Sequence, residues 1–168
     1  GFPTRTEQAD LKFVISASQG EFPRMVIALR DQTDAFYQTA RAFDIADRYQ
    51  MPVILLSDQY LGDSSATVPA FDLSQVSPPP AIKQADPAGS AEYLRYRLTR
   101  DGISPRLVPG RTDALVAIDS DEHDERGAIT ESAEMRKKMV DKRMAKLSLL
   151  EAELTEPEFF GDDACSTL

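Results

Sequence analysis

The pattern of apolar and polar positions predicts a strand, a helix and a second strand near the start of the chain. Met25 to Leu29 is a short continuous apolar run. Its length and its Val and Ile content favour a strand buried on both faces, as in a parallel sheet. Asp31-Gln32-Thr33 forms a capping cluster, after which Phe36, Ala40, Phe43 and Ala46 or Asp47 recur at three-to-four spacing. That spacing predicts a helix to about Gln50 with one apolar face. Pro52 ends the turn, and Val53 to Leu56 predicts a second buried strand. The three elements make one βαβ unit, and the fold class is α/β with a mostly parallel sheet and flanking helices.

The flanks are less regular. Residues 5–18 carry apolar positions at Ala9, Leu11, Phe13, Val14 and Ala17. Thr6 stands as N-cap of that helix, with Glu7 and Asp10 in the first turn, and Gly20 stops it. Residues 62–90 hold Gly62, Pro69, Pro78-Pro79-Pro80, Pro87 and Gly89, which predicts an extended surface excursion. Residues 91–110 lack a clear period. Ala114 to Ile118 predicts a third short strand, followed by an acidic loop over 119–127. A long helix is then expected from about Ile129 to Leu154, capped by Thr130, with Met139, Leu147, Leu150 and Leu154 as a thin apolar stripe. Such a helix would lie as a linker across another surface. The expected division is therefore 1–128, a linker helix over 129–160, and 161–168 as the start of a following domain. The chain opens on Gly1 without an initiator methionine and closes on residues resembling the start of a strand, so a fold completed by further residues is expected.

Composition narrows the function classes. Of 168 residues, 42% are hydrophobic, enough for a core, and the net charge is −9. An acidic surface repels nucleic acid and anionic lipid, so neither is an expected partner. Met51-Pro52-Val53-Ile54-Leu55-Leu56 is the longest apolar run, far short of the roughly 20 residues that span a bilayer. The lone Cys165 excludes a disulfide framework within one copy and suits a reducing cytoplasm.

Several constellations bear on chemistry. The loop Asp119-Ser120-Asp121-Glu122-His123-Asp124-Glu125-Arg126-Gly127 is rich in oxygen ligands. His123 stands where a calcium loop needs an oxygen, and Thr130 where it needs a bidentate glutamate, so a solvated loop is the better account. His123 is the single histidine and is expected to be exposed. No metal site is expected. Neither a Gly-x-Gly-x-x-Gly nor a P-loop pattern occurs, which argues against a self-contained nucleotide site. The opening Gly1-Phe2-Pro3-Thr4-Arg5-Thr6-Glu7-Gln8-Ala9-Asp10 delivers hydroxyls and a guanidinium to a helix start. That arrangement suits a carboxylate, and equally suits simple capping with Arg5 solvated.

Residues 1–11, Gly20-Glu21-Phe22-Pro23-Arg24, Pro52 to Leu61, Asp101-Gly102-Ile103-Ser104-Pro105-Arg106 and Asp119 to Gly127 together resemble the α chain of 2-oxoacid:ferredoxin oxidoreductases. The type that handles 2-oxoglutarate is the most similar. Five blocks fall in the same order and are followed by a similar helix.

The resemblance implies the C-terminal portion of a thiamin diphosphate pyrimidine-binding domain plus a long linker helix. It implies a partner β subunit that holds the diphosphate, its Mg2+ and a [4Fe-4S] cluster, with cofactor between the chains. It further implies oxidative decarboxylation of a 2-oxoacid to acyl-CoA and CO2, with coenzyme A as co-substrate and ferredoxin as electron acceptor. Thr4 is implied to hydrogen bond substrate or cofactor, and Arg5 to pair a carboxylate or a structural acid. Thr6 and Gln8 complete the binding loop, Glu7 and Gln8 holding it rather than reacting. No catalytic residue is expected here, because the family glutamate on the aminopyrimidine would precede Gly1. Arg30 departs from the small residue usual after the first strand. Two other classes remain open on the residues alone: a scaffolding module with 119–154 as an interaction arm, and a metal-dependent hydrolase using the acidic loop.

Overall fold

Met25–Ala28 (β1) and Val53–Leu56 (β2) pair in parallel, Met25 opposite Val53 and Ala28 opposite Leu56. The computed structural model describes residues 6–76, 78, 82–85, 92–110, 113–156, 159–161 and 164. The ladder is lengthened at both ends, where Met25 N–H donates to the Pro52 carbonyl and Leu29 N–H to that of Leu56.

Asp10–Ser16 (α1) precedes β1 and is shorter than the helix expected over 5–18. Gln32–Tyr49 (α2) crosses over between the strands. Asp31 opens it in an extended conformation and accepts the Asp34 N–H at 2.8 Å, satisfying one of the orphan donors of the first turn. The helix ends at Gln50, which adopts φ 51°. A non-glycine residue in that region costs roughly 1–2 kcal/mol, offset here because Gln50 is bonded on several sides. Its carbonyl accepts from Lys146 Nζ at 2.7 Å, and its Nε2 donates to the Ser104 carbonyl at 2.6 Å.

The core lies where α2 covers the sheet. Ile45, fully sealed from solvent, and Ala42 meet Met25, Ile27, Met51 and Leu150, with Leu29, Tyr49, Val53 and Leu55 packed around them. Burying one such isoleucine contributes about 1.5–3 kcal/mol. The buried face of α2 therefore differs from the expected Phe36, Ala40 and Phe43 row, and Phe43 is 70% exposed. Phe36 instead stacks on Phe71, ring centroids 4.0 Å apart, and pins the irregular chain beyond the short helix Gln59–Asp63 (α3). Tyr37 reinforces this by accepting the Asp72 N–H at 2.8 Å.

Two other expectations are corrected. Residues 114–118 form no strand; Leu115 and Ile118 are 88% and 70% exposed, and no neighbouring strand pairs with them among the described residues. The single helix expected over 129–154 is two, Ala133–Met144 (α4) and Leu147–Leu150 (α5), followed by a 3-10 turn. Ser132 rather than Thr130 caps α4, its hydroxyl accepting the Met135 N–H. The break lets Lys146 and Leu150 turn inward while Leu147 and Leu154 stay exposed. The arm folds back onto α2, where Glu153 accepts from Arg48 and Tyr49, each at 2.6 Å, and its carbonyl accepts from Arg41.

Candidate functional site

Of the four residues expected to bind, Thr4 and Arg5 lie outside the described residues. Thr6 and Gln8 stand exposed in the turn before α1. Thr6 does not cap the helix. The N-cap position is Ala9, without a side-chain bond, and Asp10 reaches back to accept the Glu7 N–H at 2.9 Å. Glu7 therefore holds the turn through its backbone, leaving the side chains of Thr6 and Gln8 unengaged in any hydrogen bond among the described residues. The turn presents a hydroxyl and an amide to solvent, which is the chemistry of an anion contact and not of proton transfer.

What holds the far end of α1 is Arg24. Its Nη1 donates to the Val14 and Ala17 carbonyls at 3.0 and 2.9 Å, and its Nη2 to Ser18 Oγ at 3.0 Å. The guanidinium lies 4.2 Å over the Phe22 ring. A cation on the last carbonyls of a helix meets both their open lone pairs and the negative end of the dipole.

At the carboxyl ends of β1 and β2 the chain places two acids. Asp31 and Asp58 cap α2 and α3, the latter accepting the Leu61 N–H at 2.7 Å. The Asp34 backbone N–H bonded to it holds the Asp31 carboxyl below its usual range. Gln32 Nε2 donates to Ser64 Oγ at 2.8 Å and ties the start of α2 to the end of α3. Both acids serve caps.

The acidic loop, expected to be solvated, is partly exposed and is stapled to α4. Glu122 takes both guanidinium nitrogens of Arg143, at 2.9 and 3.2 Å, and lies 3.6 Å from Arg136. Hydrogen bonding from Arg143 lowers its carboxyl most. His123, expected to be exposed, is half-buried with its ring 3.8 Å from that of Tyr96. Glu125 accepts the Leu98 N–H at 2.7 Å through its side chain and the Tyr96 N–H at 2.9 Å through its carbonyl. Gly127 closes the loop at φ 91°, where an added Cβ would stand 2.3 Å from the Ala117 carbonyl oxygen.

Facing this loop, α4 half-buries Lys142 and the turn into α5 buries Lys146, neither of which periodicity singled out. Lys142 Nζ donates to the Tyr96 carbonyl at 2.9 Å and to Ser104 Oγ at 2.6 Å. Lys146 donates to the Gln50 carbonyl and so caps α2. Burial pushes both ammonium groups down to about 8. The Asp101 to Arg106 block is thus structural: Ser104 is fully sealed and Arg106 donates to Asp47 at 3.1 Å.

Among the described residues no three His, Cys, Asp or Glu side chains come together to hold a metal. No helix among the described residues is long and apolar enough to cross a membrane.

Residues 1–142 match the family model described as pyruvate flavodoxin/ferredoxin oxidoreductase, thiamine diP-bdg, that is, thiamine diphosphate-binding. The chain belongs to this family. Among oxidoreductase α subunits it is 38% identical over 165 residues to 2-oxoacid:ferredoxin oxidoreductase 1, subunit alpha, of Sulfurisphaera tokodaii, covering 96% of this chain and 26% of that one. It is 41% identical over 159 residues to the 2-oxoacid:ferredoxin oxidoreductase subunit alpha of Saccharolobus solfataricus, covering 93% and 24%. Among solved structures, the 2-oxoglutarate:ferredoxin oxidoreductase from Magnetococcus marinus, with 2-oxoglutarate, coenzyme A and succinyl-CoA bound, superposes with a TM-score of 0.81 and 34% identity. That match covers 97% of this chain and 28% of the other. The oxidoreductase relatives are thus about four times longer than this chain, which corresponds to one stretch of an α subunit.

Proposed function

We propose that this chain is part of the α subunit of a 2-oxoacid:ferredoxin oxidoreductase and forms one wall of its substrate cleft. The observation that carries the reading is the family match over residues 1–142, which spans all the elements that position the Thr6 to Gln8 turn. The reaction is oxidative decarboxylation of a 2-oxoacid to acyl-CoA and CO2, with electrons passing to ferredoxin. The 2-oxoacid is 2-oxoglutarate, supported by the ligands of the Magnetococcus marinus enzyme.

In this reading thiamin diphosphate, when bound, supplies the carbon chemistry, and the protein positions the reactants. The diphosphate, its Mg2+ and a [4Fe-4S] cluster are assigned in this reading to a β subunit that closes the opposite wall. Thr4 and Thr6 offer hydroxyl donors, Arg5 a guanidinium and Gln8 an amide to the 2-oxoacid carboxylates. Their role is orientation: they raise the local population of the reactive pose without moving a proton. The first domain then runs to about residue 128, and the 129–160 arm joins it to a second domain that starts near residue 161.

The test is co-expression of the full-length α subunit with its β partner. CoA-dependent reduction of ferredoxin by 2-oxoglutarate is expected, and pyruvate should be the poorer substrate. Arg5→Ala should cost on the order of 1.5–3 kcal/mol in kcat/KM, the worth of a charge-assisted contact. An enzyme without thiamin-dependent turnover on any 2-oxoacid overturns the reading.

A further inference from the structure

We propose that Arg24 is a positioning residue: by clamping the C-terminal end of α1 it fixes where the Thr6 to Gln8 turn stands in the substrate cleft. The inference rests on the reading of that turn given above.

The helix has little else to hold it. α1 buries none of its residues, and Leu11, Phe13 and Ile15 are 50%, 70% and 55% exposed. Between its last turn, at Ile15 and Ser16, and Met144 lies an open groove of about 620 Å3. Among the described residues, Arg24 alone sends side-chain hydrogen bonds from outside onto α1 and the turn that ends it, at Val14, Ala17 and Ser18. Arg24 is itself well placed to carry that load. Pro23 before it is buried, and Met25 after it begins β1 and belongs to the core.

Geometry amplifies the clamp. A helix of this length is about 10 Å long, so a tilt of roughly 10° at its anchored end moves the other end by roughly 2 Å. Misplacement by about 1 Å can cost on the order of a hundredfold in rate. Three acceptors at different angles also need the planar fork of a guanidinium, which a lysine ammonium does not reproduce.

The experiment compares Arg24→Ala, Arg24→Lys and Thr4→Ala in the assembled enzyme, reading KM, kcat, thermal midpoint and hydrogen exchange over residues 9–17. For Arg24→Ala the expected result is faster exchange in that segment alone and a KM for the 2-oxoacid raised about tenfold or more, with the thermal midpoint little changed. Arg24→Lys should recover only part of the KM. If Arg24→Ala leaves α1 exchange unchanged, or frees α1 while KM stays put and Thr4→Ala raises it, the positioning role is overturned and the function stands. If neither Arg24→Ala nor Thr4→Ala moves KM, the turn does not face the substrate and both fall. If Arg24→Ala does not assemble, Arg24→Lys carries the same readouts.

Discussion

Lys142 Nζ lies 2.6 Å from Ser104 Oγ, a half-buried lysine donating to a hydroxyl that no solvent reaches. Ser104 Oγ in turn donates to the Arg97 carbonyl at 2.9 Å. This pair ties α4 to the Asp101 to Arg106 block. Ser104→Ala should therefore remove an acceptor from a half-buried cation and a donor from a carbonyl, costing about 1–3 kcal/mol. Denaturation of the full-length subunit checks the cost, and hydrogen exchange should localise it to 96–106 and α4.

The two lysines make stability depend on pH on the alkaline side. Both groups titrate at about 8 in the fold against an ordinary 10.5, because burial penalises the charge. Between those values the unfolded chain keeps the proton that the folded chain has released, so stability rises with pH across that window. Below pH 8 the cost of the buried charges is fully present. Denaturation midpoints from about pH 7.5 to about pH 10 should climb, and the climb should shrink in a Lys142→Met, Lys146→Met double variant.

Glu122 predicts the opposite limb. Its carboxyl sits below the ordinary 4.5, chiefly through the hydrogen bonds from Arg143. Its contribution is complete above about pH 4.5 and is lost as pH falls through the lowered value. Glu122→Gln should cost about 1 kcal/mol near neutral pH for this partly exposed pair. The difference from the parent should shrink as pH falls below about 4.5, as denaturation at about pH 7 and at successively lower pH would show.

Glycines separate by conformation. Gly127 at φ 91° and Gly102 at φ 74° both have a backbone carbonyl within 2.5 Å of an added Cβ. Alanine at either should destabilise by about 1–3 kcal/mol. Gly62, inside α3 with open space around it, should accept alanine with a gain of about 0.4–1 kcal/mol. Thermal midpoints of the three variants test the contrast.

The βαβ unit is readable from the residues because each signal is local. Val53 to Leu56 has strand length, Asp31 is a cap, and Pro52 is a breaker, so the expected boundaries agree with the observed ones to within a residue or two. The expectations that fail depend on distant partners. Ala114 to Ile118 has strand composition, yet a strand needs a neighbour to pair with. On α2, Phe43 fits the apolar period as well as Ile45 does, and only packing against β1 and Leu150 decides which of them is buried. Lys142 and Lys146 read as ordinary solvated charges on a polar helix. Lys142 is drawn in by Tyr96 and Ser104, far away in sequence, and Lys146 by the break after Met144, which no single residue announces. His123 reads as a surface side chain because its ring partner, Tyr96, is 27 positions away. For the site, the block resemblance locates the opening turn, while the role of Arg24 emerges only from the contact of its guanidinium with the α1 carbonyls.

Gln50 also restricts how this protein can vary. Its amide and carbonyl engage Ser104 and Lys146, and Arg95 approaches its side chain at 3.5 Å. One inserted residue in the last turns of α2 would swing that junction by about 100° and shift it by about 1.5 Å. Ser104, Lys146 and Arg95 would lose their common partner together. The number of residues between Asp31 and Gln50 should therefore stay constant among working variants.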